Sequence, residues 1–181
     1  VAAQHRRDAL AAKLSKLASH APVSTGARLA DLFLEWAVRH AQASLGRYFD
    51  NARVLFLSGL ANQKLAMSMA EYTANLQFAD PLLQLGVPKL LTSIDALGLY
   101  AGGAHVVTDW APPRLLPGPL LRQWSHHVLR KAIAAANVVV APVHELDEFG
   151  LEELAGKTIV TNTVNDERLR QFRDKGVHMV L

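Results

Sequence analysis

The chain reads as a protein of the α/β class, a doubly wound, mainly parallel six-stranded sheet preceded by two N-terminal α-helices, and three observations predict it. The run from Arg53 through Val54, Leu55, Phe56 and Leu57 is apolar until Ser58-Gly59 and then passes into a helical pattern. Strands covered on both faces read in this way, as continuous Val/Leu/Phe runs. After Arg53, short apolar runs alternate with longer amphipathic stretches, the order of a parallel sheet joined by crossover helices. Finally, the strand-like segment Asn75 to Ala79 ends in Asp80, about 20 residues beyond the first turn, the spacing at which an open parallel sheet carries a carboxylate to the end of its second strand.

The elements follow in order. From Ala2 to Ser19 the apolar residues Leu10, Leu14 and Leu17 have helical spacing, and Pro22 ends the pattern. A second helix opens after Ser24 or Thr25, carries Leu29, Leu32, Phe33, Trp36, Val38 and Ala43, and stops at Gly46. Six strands are expected at Arg53 to Leu57, Asn75 to Ala79, His105 to Thr108, Val138 to Ala141, Thr158 to Thr161 and Val177 to Leu181, in the order 3-2-1-4-5-6 with the first one interior. Helices are expected over Gln63 to Thr73, Leu90 to Tyr100, Pro119 to Ala136 and Asp166 to Lys175, with a shorter turn or helix within Glu145 to Leu154. The prolines and glycine between Trp110 and Gly118 mark a stiff loop. In the last helix Thr163 is a candidate cap, with Asp166 and Glu167 at the positive end and Arg170, Arg173 and Lys175 at the negative end. Residues 1–50 thus form a helical segment and 51–181 the sheet domain, and the chain, opening on Val1 and closing inside a strand-like run, reads as a fragment truncated at its C-terminus.

A chain of 181 residues can bury a core that needs no staples. It has no cysteine, which excludes disulfides, thiolate metal sites and cysteine nucleophiles and fits a reducing cytoplasm. The net charge of +3 is spread without long blocks of one sign, so nucleic acid is not an expected partner. The apolar stretch Ala132 to Val143 is too short to span a bilayer, and no signal peptide precedes the first helix. No metal is expected, since H-E-x-x-H, the Walker lysine motif and paired carboxylates at helical spacing are all missing.

The chemistry is expected at the carboxyl ends of the strands. Ser58, Gly59, Leu60, Ala61 and Asn62 form a candidate phosphate-binding turn, in which Gly59 permits close backbone approach and Ser58 and Asn62 donate to phosphate oxygens or cap the helix. The glycines of a full G-x-G-x-x-G are missing at Leu60 and Ala61, and an ordinary strand-to-helix turn is the alternative. On the first reading Gly59→Val blocks a ligand without unfolding the domain. Asp80 either accepts both ribose hydroxyls of a dinucleotide, favouring NAD over NADP, or caps the turn at Pro81. His144 is the candidate general base, against the plainer role of a solvated loop histidine. Asn162, with Thr163, offers an amide and a hydroxyl to the same crevice or caps the last helix. The stripe Arg122, His126 and Arg130 is better explained as a solvated helix face than as an anion site.

In the order of its features the chain from Arg53 onward resembles bacterial quinate 5-dehydrogenase-like proteins. The resemblance rests on Val54-Leu-Phe-Leu-Ser-Gly59, on Phe78-Ala-Asp80 with Leu85-Gly-Val-Pro88, on Ala136-Asn-Val-Val139 leading to His144, and on Gly156-Lys-Thr-Ile-Val-Thr-Asn-Thr163. It implies a Rossmann-like nucleotide-binding domain, NAD as cofactor with NADP less favoured, and an NAD(P)-dependent oxidoreductase acting on a small polyhydroxy acid. The Lys/Asp pair of established quinate and shikimate enzymes has no counterpart here. The rival expectation is a noncatalytic Rossmann-like module that binds a nucleotide or a partner protein, through the crevice or the helical preface. The expected partners are a small-molecule substrate and a dinucleotide, with no membrane and with room for a homo-oligomer.

Overall fold

A computed structural model describes residues 27–110, 119–148, 153–162 and 164–181, together with Lys13 and Lys16, both in helical backbone. Its elements are α1 (Ala27–Ser44), β1 (Val54–Phe56), a 3-10 turn (Leu60–Asn62), α2 (Gln63–Ala70), β2 (Leu76–Phe78), α3 (Asp80–Leu85), α4 (Ile94–Trp110), α5 (Pro119–Ala135), β3 (Val138–Val140), α6 (Val143–Glu148), β4 (Thr158–Val160), α7 (Asp166–Asp174) and β5 (Met179–Val180). The strands form one sheet in the order β2-β1-β3-β4-β5, and every neighbouring pair is parallel.

Side-chain alternation divides the sheet between two cores. Val54, Phe56, Val138, Val140 and Val160 face Val38 and Ala41 of α1, Leu65, Ala66 and Met69 of α2 and Leu97 of α4. Leu55, Leu57, Val139, Ala141 and Ile159 face Leu129, Ala132 and Ile133 of α5, Leu146 of α6 and Phe172 of α7. Both faces being covered is the reason β1 and β3 read as unbroken apolar runs, and β4 is buried throughout with Thr158 as its one polar residue. Of the helical preface, α1 contributes Val38 and Ala41 to the first core.

The sheet has five strands where six were expected. His105 to Thr108 is helical, lying within α4, which runs on through Gly102 and Gly103 to Trp110. A short apolar run suits a strand and a helical turn equally well, and Gly102 and Gly103 are accommodated within the helix. With that strand removed, the observed order is the expected one, and β1 is interior. The helix capped by Thr163 in the expectation is capped instead by Asn165, whose Oδ1 accepts the Arg168 N–H at 2.8 Å. Thr163, residues 111–118 of the expected loop and the first helix apart from its two lysines lie outside the described residues. Helix α3, absent from the sequence reading, begins at Asp80 itself.

Lys157 closes one helix end from a distance. It is 8% exposed, and its ammonium donates to the carbonyls of Ala134 at 3.1 Å and Ala136 at 2.8 Å, where the negative end of α5 leaves acceptors unpaired. Burial pushes its pKa below the ordinary lysine value. Lys157→Met keeps the aliphatic stem and removes both bonds, so we expect a loss of about 1–3 kcal/mol in denaturant unfolding; an unchanged midpoint would exclude this role for the ammonium.

Candidate functional site

The sheet changes direction at β1, whose neighbours β2 and β3 are reached by connections on opposite sides, and the crevice beyond the carboxyl ends of β1 and β3 is where open α/β sheets bind ligands. Ser58, Gly59 and the 3-10 turn leave the end of β1 here, and α6 leaves the end of β3 through Pro142.

The backbone of the β1 turn is already engaged. One carboxylate oxygen of Asp80 accepts the Gly59 N–H at 2.8 Å and the other accepts the Leu60 N–H at 3.0 Å. Asp80 stands at the end of the second strand as expected, but the residue is fully buried, and its carboxylate turns inward to the cradle that an anionic ligand would use. Both its oxygens are thus committed to the β1 turn, and α3 has no side-chain cap. Burial raises its pKa above the ordinary carboxylate value, while the hydrogen bonds from Leu60 and Gly59 pull it down. The Tyr100 hydroxyl donates to Gln84 Oε1 at 3.2 Å, and burial together with the Asp80 charge raises the tyrosine's pKa.

Gly59 is required by space rather than by torsion. Its φ of −65° and ψ of −39° suit any residue, but a Cβ there would stand 2.4 Å from Phe78 Cδ1 and 2.9 Å from Asp80 Oδ2. Asn62 Nδ2 donates to the Ser58 carbonyl at 2.8 Å and closes the turn on itself. The Ser58 hydroxyl donates to Glu145 Oε1 across the crevice, tying the end of β1 to α6.

Ser58, Gly59, Leu60, Asn62 and Asp80 are thus brought together as one cluster, and Glu145 joins it. Glu145 was missed as a site residue because its partner lies 87 positions away, and no local pattern signals a contact at that range. Leu60, Ala61 and Asn62 also line a cleft of about 180 Å³ with Leu34 and Lys64. His144 is exposed on α6, beside the inward-turned Glu145. Asn162 stands apart, lining a groove of about 470 Å³ between α1 and the ends of β4 and β5, with Phe33, Trp36 and Leu181. No group of three or more potential metal ligands occurs among the described residues, and no described helix is long and apolar enough to cross a membrane.

The groove has an apolar wall. Leu29, Leu32, Phe33 and Trp36 of α1 are 53%, 60%, 61% and 62% exposed and recur at the i, i+3, i+4, i+7 spacing of one helix face. A family model described as "Domain of unknown function (DUF8754)" matches residues 28–181, which takes in this face and the whole sheet. No curated protein and no solved structure gives a match.

Proposed function

The chain belongs to the DUF8754 family, and from that premise we propose that it is a noncatalytic Rossmann-like module that engages another protein surface through α1. The observation that carries this reading is the stripe Leu29, Leu32, Phe33 and Trp36, four large apolar side chains left more than half exposed on a helix whose other face builds the core. The crevice supports it from the other side. The amides that would hold a pyrophosphate are taken by Asp80, and the Ser58 hydroxyl is taken by Glu145.

The oxidoreductase reading is the second. It is favoured by the placement of Ser58, His144 and Asn162 beyond the carboxyl ends of the adjacent strands β1, β3 and β4, the edge at which a nicotinamide would be presented. Calorimetric titration separates the two. We expect no saturable heat with NAD or NADP up to about 1 mM; binding in the micromolar range, of about −8 kcal/mol, would displace the first reading in favour of the second.

A further inference from the structure

We propose that the surface received by α1 is the α1 of a second copy, packed antiparallel across a two-fold axis between Leu32 and Phe33. The inference rests on the reading of α1 as an interaction face and names its partner. Antiparallel pairing about that axis sets Leu29 against the second copy's Trp36 and Leu32 against its Phe33, so each leucine meets an aromatic ring and the stripe is complementary to itself, as a two-fold interface requires.

The size of the stripe agrees. Four side chains of this kind, each a little more than half exposed, offer on the order of 500 Å² of apolar surface, the core of an interface that needs roughly 800 Å² per partner. The groove beside them, walled by Ala37 and Leu181, extends the contact. Farther along α1, Arg39 bonds Glu35 at 3.1 Å and pairs both its terminal nitrogens with Glu71 at 3.0 Å. An identical apolar stripe fits this face through the pairing of each leucine with an aromatic ring. Trp36 is also held flat, stacked on His40 with ring centroids 5.1 Å apart, so little side-chain freedom is lost on docking.

The test is the mass of the full chain in solution, by light scattering, from about 1 to 200 µM. A rise toward twice 19.7 kDa is expected, with Phe33→Glu, and independently Leu32→Glu, returning the chain to monomer at every concentration while circular dichroism is unchanged. Since the protein has no cysteine, Leu32→Cys should give a disulfide-linked dimer on mild oxidation, and Leu99→Cys, at a position 80% exposed on α4, should not. A monomer throughout the range, a dimer that survives both glutamates in a folded chain, or equal cross-linking at the two cysteines overturns the proposal. Iodide quenching of Trp36, taken as the difference from Trp36→Phe, distinguishes how it fails. A persistent monomer with accessible Trp36 removes self-association and leaves the interaction face standing; a persistent monomer with shielded Trp36 removes both.

Discussion

Gly59→Val is expected to lower the stability of the fold by about 3 kcal/mol, a fall of roughly 6–12 °C in melting temperature for a domain of this size. The first carbon of any side chain meets the Phe78 ring at 2.4 Å, and neither wall can retreat easily: Phe78 is fully buried and stacks on Phe56 at 5.2 Å, while Asp80 is held by the amides it bonds. Gly59→Ala already introduces that carbon, so it should show a large part of the loss. This differs from the expectation drawn on sequence alone, in which the valine variant stays folded and loses only a ligand. Thermal unfolding of the alanine and valine variants decides between them; melting temperatures within about 2 °C of wild type would mean that the turn opens freely and that glycine stands there for another reason.

Asp80→Ala is expected to cost about 2–4 kcal/mol, because it leaves the Gly59 and Leu60 N–H groups without their acceptors. Asp80→Asn keeps one acceptor and turns an amide donor toward the other N–H, so its cost should be smaller, about 1–2 kcal/mol at neutral pH. The acid range adds a signature that size alone would not give. The carboxyl's pKa is raised in the folded state by burial, so between the ordinary value of 3.8 and that raised value the folded chain holds the proton more often than the unfolded one. Asp80's contribution is therefore fully present below the ordinary value and declines as pH rises through the folded one. Subtracting the Asp80→Asn stability profile from wild type should expose this falling segment. A difference that stays flat from pH 3 to 7 would show that the carboxylate is not desolvated as the structure has it.

Local pattern carried much of the fold. The interior strands β1, β3 and β4 were legible because burial on both faces writes itself into consecutive residues, and α7 because acids and bases sort to opposite ends of a helix. His105 to Thr108 was misread because four residues hold too few periods to tell a strand from a helix that continues through glycine. The candidate site was legible only as a list. Ser58, Gly59 and Asp80 could be named from strand ends, but whether the Asp80 carboxylate looks out to a ribose or in to the Gly59 amide depends on a χ rotation that spacing does not encode. The outward face of α1 was hidden for a related reason. Its apolar residues run around more than one side of the helix, and nothing local says that Val38 and Ala41 enter the core while Leu29, Phe33 and Trp36 do not.

The register of the sheet bears on how the chain finds its shape. Val54 pairs with Leu76 on one side and with Val138 on the other, so β1 meets its first neighbour across a short stretch of chain and its second across a much longer one. Loop-closure entropy grows with the logarithm of that length, which makes the second pairing about 1.2 kcal/mol more costly than the first. The Asp80 bonds to Gly59 and Leu60 span 21 and 20 residues and join the chain just beyond the ends of these same two strands. A buried carboxylate thus latches the cheap half of the sheet, and β1 can offer β3 an edge already held in place when the long excursion through α4 and α5 returns.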